Sequence, residues 1–333
     1  MQKTWYLISA IIVIVAVAGF ASWYILPSAQ PAPVQDNLII TTGSPEFSAL
    51  TLVANKKGFF TKYRLNVTIR DYPSGIYAVD ELMAGNSDLA YAAEFVGVSL
   101  ISKYPDLRII GSTANCDVIS IIARKDRGIV SPLDLRGKSV AVPKNTQAEF
   151  FLGRYLTLNG MNWTDVTIHY LAPADLVQSV VSGESDAAII WEPNVYTIEQ
   201  QLGKNSTTFP AQSGQRFYWL IYTRPDVIRN RPDVLTRYFL ALDETGRYIY
   251  QNEDEAKTII KNRVSLPEGY VDSLWKKNQY ILSLDQSLII AMEDESRWMI
   301  SNNLTDKKVV PNYLDYISSK SLRTVSPVSV NII

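Results

Sequence analysis

Residues 131–193 read SPLDLRGKSVAVPKNTQAEFFLGRYLTLNGMNWTDVTIHYLAPADLVQSVVSGESDAAIIWEP. SVAVP is a short apolar strand ended by proline. NTQAEFFLGRYLTLNG follows with helical apolar spacing and closes at Gly160, since glycine suits a helix C-terminus. DVTIHYL alternates as a strand does, DLVQSVVSG is a second helix closed by Gly183, and DAAIIWEP is a strand running into Pro193. Strands separated by helices predict a mostly parallel sheet covered on its faces. Such a sheet presents ligands to the loops at the carboxyl ends of its strands, here PKNTQ, LAPAD and WEP.

A similar unit precedes this one, beginning near Asn37. NLIITTG, LNVTIRDYP, DLAYAA and LRIIGSTA read as strands, and VISIIARKD is a further extended, β-branched run. Between them, PEFSALTLVANKKGFF, IYAVDELMAG and FVGVSLISKYP read as helices stopped at Gly58, Gly85 and Pro105. The strand-end loops are GSPEF, DYPSG, AAEF and STANCD. After residue 193 the chain returns through FYWLIYT into helices that include VLTRYFLALDETGRYIY, DEAKTIIKN, DSLWKKNQYI and SLIIAMEDESRWMI. The two α/β halves resemble each other in layout, without a regular short repeat.

Composition bounds the function. The chain has 333 residues, 47% of them hydrophobic, enough for more than one packed lobe. Lys and Arg number 32 against 33 Asp and Glu, a balance without the basic stripe of a nucleic-acid binder. One cysteine, Cys116, and one histidine, His169, exclude an intramolecular disulfide and a multi-Cys metal site and disfavour a His-based triad. His169, in an alternating strand, is expected to be structural, and Cys116 to pack as a small apolar side chain. No cofactor and no metal are expected.

Residues 5–26 carry no charge and are long enough to cross a bilayer, for which roughly 20 apolar residues suffice. Lys3 precedes the run and no basic residue follows closely, which leaves the N-terminus cytoplasmic and the remainder outside. Trp5, Tyr6, Trp23 and Tyr24 stand at its two ends, as interfacial aromatics do. The expectation is an uncleaved anchor and linker over residues 1–36; the alternative is a cleaved signal peptide, whose apolar stretch is usually shorter, and hence a secreted protein. No cysteine follows the run for lipid attachment, and four Asn-x-Thr patterns, at Asn66, Asn162, Asn205 and Asn303, fit an outside location.

The stretch 131–193, with its DLRGK-strand-helix unit, its GESDA turn and its closing Trp-Glu-Pro, resembles the substrate-binding proteins of ABC importers for nitrate, sulfonates and taurine and for thiamine-pyrimidine precursors. EFSALTLVANKKGFF, AGNSDLAYAAEF and LRIIGS agree with it, so the resemblance runs from Asn37 to about Tyr250. It implies an α/β, two-lobed periplasmic-binding-protein-like (type II) clamp with ligand in the cleft. Lobe I would comprise residues 37–122 plus 220–333 and lobe II residues 123–219, with crossings near SIIAR and WLIYT. It also implies a small-molecule solute, ABC permease subunits and their ATPase as partners, and a position on the extracytoplasmic face of the membrane; a monomer is expected.

The residues expected at the ligand follow from the strand-end loops. Ser44, Glu46 and Phe47 open the first helix, whose N-terminus offers free N–H groups; Ser44 equally serves as its cap. Thr146 and Gln147 open the second-lobe helix, with Glu149 one step inside; capping explains an acid there equally well. Glu94 and Phe95 end AYAAEF, Asn115 lies in STANCD, and Trp191 and Glu192 end another strand. Tyr72 and Tyr218 are further aromatic candidates. A pocket holding Glu46, Glu94, Glu149 and Glu192 favours a ligand with an amine, amidine or aminopyrimidine group, including a zwitterion; backbone donors leave a sulfonate- or nitrate-type oxyanion open. Two other functions compete. One is a ligand-sensing ectodomain reporting to a membrane partner. The other is a pyrimidine-synthesis-type enzyme, whose Cys-rich motif is absent here. With no base and nucleophile pair apparent, a binding protein and not an enzyme is expected.

Overall fold

The structure is a computed structural model that describes residues 35–266 and 270–332. The expected anchor, residues 5–26, lies outside the described residues. Among those described, no helix is long and apolar enough to cross a membrane.

Eleven strands are described, in two sheets. The first contains β1 (Asp36–Thr42), β2 (Leu65–Asp71), β3 (Leu89–Ala93), β4 (Arg108–Cys116), β10 (Phe217–Thr223) and β11 (Asn278–Gln279), in the order β11-β4-β10-β3-β1-β2. The second contains β5 (Ile119–Arg124), β6 (Ser139–Val142), β7 (Thr167–Tyr170), β8 (Ala187–Trp191) and β9 (Ser206–Pro210), in the order β7-β6-β8-β5-β9. β1 is parallel to β2 and β3, and β6 is parallel to β7 and β8. Into each parallel set one strand from the other half of the chain inserts antiparallel: β10 between β3 and β4, and β5 between β8 and β9. The strand–helix alternation therefore appears as expected, twice. β3 and β8 are buried along their whole length, as strands covered by helices on both faces must be. One expected helix differs. DSLWKKNQYI ends as a helix at Lys277, and Asn278–Gln279 pairs with β4, whose outer edge is covered further along by Ile281, Ser283 and Ser318.

Two stretches of chain connect the sheets, next to SIIAR and WLIYT. Both of those runs lie inside strands, β5 and β10, because a β-branched run is as good a sheet strand as a connector. The chain leaves the first sheet at Asp117 and Val118 and returns over residues 211–216. One side chain ties the two passages together. Gln212, fully buried, accepts from the N–H groups of Val118 and Ile119 at 2.7 and 2.8 Å and donates to the Cys116 and Gln215 carbonyls, each at 2.9 Å. Gln212→Ala leaves two N–H groups and two carbonyls without that partner. The expected cost is about 3 kcal/mol, read by urea unfolding; a loss under about 0.5 kcal/mol would show that water or a shifted backbone replaces all four bonds.

Helix Gln286–Ser301 supplies a second tie. It packs on helix Glu94–Leu100 and places Trp298 against helix Gln147–Leu158. The Trp298 ring lies 5.6 Å from Phe150 and 5.7 Å from Trp163, centroid to centroid. It fits because position 153 is glycine; a Cβ there would lie 2.4 Å from the indole.

Candidate functional site

Three strand-to-helix loops meet between the sheets. The loop after β1 carries Ser44 into a 3-10 turn, Pro45–Phe47. The loop after β2 carries Ser74 into helix Gly75–Met83, and the loop after β6 carries Thr146 into helix Gln147–Leu158. The first two loops can meet only because Gly43 has no side chain: a Cβ there would lie 2.0 Å from the Gly75 nitrogen. All three lie at carboxyl ends of parallel strands, where an open α/β sheet places a ligand.

They border a partly open cavity with about 360 Å³ of empty space, solvent at its opening included, lined by Ser44, Phe47, Ser74, Gly75, Ala93, Val96, Ile119, Thr146, Gln147, Trp191, Phe217 and Trp219. The walls are aromatic. Phe47 stands edge-on to Phe217 and Trp219, at 5.9 and 5.3 Å between centroids. The Trp219 indole N–H donates to Ser48 Oγ at 2.9 Å, so Trp219 offers the cavity an apolar ring. The polar groups are hydroxyls and backbone at the starts of helices. Ser74 makes no side-chain capping bond, whereas Thr146 donates its hydroxyl to the Pro143 carbonyl at 2.7 Å.

Of the residues expected at the ligand, Ser44, Phe47, Thr146, Gln147 and Trp191 are brought together around this cavity. Glu46, Tyr72, Glu94, Phe95, Asn115, Glu149, Glu192 and Tyr218 do not line it. The four acids are engaged elsewhere or turned into the protein. Glu149 accepts from Asn145 N at 2.6 Å and Tyr170 Oη at 2.7 Å; burial pushes its carboxyl up, and those donors hold it down. Glu192 accepts from Tyr196 N at 3.1 Å and lies 3.3 Å from Lys277 Nζ. Glu94 accepts from Tyr218 N at 2.8 Å, and burial pushes its carboxyl up to about 8. Burial pushes Glu46 up to about 8 as well, with Asp71 adding to the rise. Tyr218 donates to Asp285 at 2.9 Å, Asn115 sits in β4, and the Phe95 ring stacks 5.8 Å from Phe150.

Gln147 lines the cavity, yet both ends of its amide are occupied. Its Oε1 accepts from Phe95 N at 3.1 Å and its Nε2 donates to Glu295 at 2.7 Å. It therefore ties the Gln147–Leu158 helix to the Glu94–Leu100 and Gln286–Ser301 helices, and an incoming molecule meets its flank.

The lining residues not singled out from sequence are Ser74, Gly75, Ala93, Val96, Ile119, Phe217 and Trp219. Ser74 and Gly75 lie in DYPSG, a loop marked by strand-end position, in which Tyr72 is the residue expected at the ligand. Phe217 and Trp219 are in a strand that returns from the other half of the chain, so strand-end position could not reveal them.

Comparison with known proteins places these features in context. A family model described as NMT1/THI5 like matches residues 45–256. A protein of Brucella abortus (strain 2308) named as a binding protein is 24% identical over 245 residues, covering 71% of this chain and 74% of that protein. A Bacillus subtilis protein named as aliphatic-sulfonates-binding is 22% identical over 264 residues, 78% of this chain and 80% of its own length. Among solved structures, the alkanesulfonate-binding protein SsuA from Xanthomonas axonopodis bound to MOPS superposes with a TM-score of 0.74 at 18% identity, covering 86% of this chain and all of that one. At that identity the likeness shows the fold, a periplasmic-binding-protein-like one.

Proposed function

Because this chain belongs to the NMT1/THI5-like family, we propose that it is the extracytoplasmic solute-binding receptor of an ABC importer and that its cavity holds a sulfonate-type oxyanion. The observation that carries the ligand class is the lining of the cavity. Its polar groups are Ser44, Ser74, Thr146 and the flank of Gln147, beside helix N-termini, and no carboxylate lines it among the described residues. Helix N-termini offer unpaired N–H groups and a positive dipole end, which suit an anion. An ammonium group would find hydroxyl oxygens and aromatic faces there, but no carboxylate among the described lining residues to balance its charge.

The two sheets and their helices act as two lobes, residues 35–117 with 217–332 and residues 118–210, hinged at the passages pinned by Gln212. The loops of Ser44 and Ser74 come from one lobe and that of Thr146 from the other, so a ligand touching all three stabilises the closed form over the open one. Closure of such a clamp presents a changed surface to a permease and its ATPase. Residues 5–26 hold the receptor, as a monomer, to the outer face of the membrane. The cavity residues include no pair of base and nucleophile, and the protein binds its solute without converting it.

The test is thermal unfolding of the full chain with methanesulfonate, taurine, MOPS, nitrate, an aminopyrimidine and a polyamine. A ligand present at about 100 times its Kd adds about 2.7 kcal/mol to stability. A sulfonate is expected to do so, and Ser74→Ala to weaken it about tenfold, the loss of one hydrogen bond to a charged group. If the amines stabilise the protein and the sulfonates do not, the ligand class is wrong.

A further inference from the structure

Beside the inner cavity lies a second, open hollow of about 650 Å³, surrounding solvent included, that shares Ser74 and Thr146 with it. Tyr77 and Ile76 line one side, from helix Gly75–Met83. Lys144 and Tyr170 line the other, from the loop after β6 and the end of β7. Tyr77 and Tyr170, both lining this hollow, are 48% and 40% exposed. Lys144 Nζ stands 5.2 Å from the centroid of the Tyr170 ring. The Tyr170 hydroxyl donates to Glu149 at 2.7 Å, which holds the ring in place, and the other Glu149 oxygen accepts from Asn145 N. Among the described residues, Lys144 is the one charged residue lining either hollow.

Resting on the oxyanion reading of the inner cavity, we propose that this hollow is a subsite for the far end of the ligand. It takes an apolar or aromatic spacer between Tyr77 and Tyr170 and a second acidic group at Lys144. The substrate class is then a sulfonate with a distal carboxylate, and an aminoalkyl sulfonate is disfavoured. Two features make the choice. The inner space is small and walled by large rings, and the neighbouring hollow that shares Ser74 and Thr146 with it offers room for anything longer than a compact head group. Past them, the one charged side chain among the described lining residues is Lys144, with the Glu149 carboxyl behind the Tyr170 hydroxyl. A distal ammonium would meet the like charge of Lys144, while Glu149 does not line the hollow; a carboxylate gains an exposed ion pair.

Titration calorimetry on the full chain compares propanesulfonate with sulfopropionate, benzenesulfonate with sulfobenzoate, and taurine with all four. Each carboxylated compound is expected to bind about fivefold tighter than its parent, the upper range for an exposed ion pair, and taurine more weakly than propanesulfonate. The preference should shrink in high salt. Lys144→Gln should equalise each pair, and Lys144→Arg should keep the preference. If simple sulfonates bind and the carboxylated ones bind no better, or if Lys144→Gln leaves their ratio intact, the subsite is wrong and the inner-cavity reading survives. If no sulfonate binds, both fall together.

Discussion

Gly43→Ala is expected to lose at least about 3 kcal/mol of stability and, with it, all stabilisation by sulfonates. The added Cβ would lie 2.0 Å from the Gly75 nitrogen and 2.1 Å from the Ser74 carbonyl carbon. Both are backbone atoms, so no side chain can rotate away; one loop must move. The loops concerned carry Ser44 and Ser74, and the displacement separates two of the three polar edges of the cavity. Nearby packing offers no slack, because a Cβ on Gly75 would itself lie 2.5 Å from the Ala92 Cβ. Gly58→Ala is the control. Gly58 has a positive φ of 76° and open space around it, so alanine there costs about 1 kcal/mol of backbone strain and should leave ligand binding alone. Thermal unfolding with and without methanesulfonate reads both variants. A Gly43→Ala protein as stable as its parent would mean that the β1 and β2 loops are not held in contact in solution.

The contrast between these two glycines shows where sequence reading stops. Gly58 ends a helix within its own segment, and PEFSALTLVANKKGFF announces it. Gly43 matters because of a neighbour contributed by another loop, and nothing in GSPEF shows how near DYPSG will come. The same divide separates the site residues. Ser44, Thr146, Gln147 and Trp191 could be found because a parallel sheet fixes which end of each strand faces a ligand. Glu46, Glu94, Glu149 and Glu192 also stand at those ends, but position along the chain does not say where a carboxylate finds its donors. Glu149 finds them in Asn145 N and Tyr170, Glu192 in Tyr196 N and Lys277. The partner of Gln147, Glu295, lies 148 residues further on in a helix that looks like ordinary amphipathic packing. Trp219 and Gln212, which shape the cavity wall and the passages between sheets, depend in the same way on long-range pairing.

Those buried acids yield the second large effect, a fall in stability from about pH 5 to about pH 8. Glu94 and Glu295 are fully buried, and Glu94 Oε1 and Glu295 Oε2 have no hydrogen-bond partner. Neutral groups surround them: Tyr218 N on Glu94, the Gln147 amide on Glu295, and Tyr222, Tyr313 and Cys116 close by. The nearest charge on the same helix is Asp294, which is also negative. Burial pushes Glu94 from 4.5 to about 8 and Glu46 from 4.5 to about 8; burial and then the charge of Glu94 drive Glu295 upward. A raised acid binds in the folded state a proton that the unfolded chain has already lost. Its contribution is therefore complete below the unfolded value and disappears as pH climbs through the folded one, from about 4.5 to about 8 here, with a slope of at most about 1.4 kcal/mol per pH unit for each carboxyl. Carboxyls pulled downward, such as Glu244 beside Lys62 and Asp272 beside Lys257, act in the opposite sense but below this window. The chain has one histidine, so few other side chains change charge between pH 5 and 8. Glu94→Gln mimics the protonated form and keeps an oxygen for Tyr218 N. It is expected to flatten the slope of urea-unfolding stability against pH, as is Glu46→Gln, leaving each variant relatively more stable at pH 8. A parent protein whose stability is flat or rising over this range, or variants that keep its full slope, would mean that water reaches these carboxyls and that they are ionised in the folded protein.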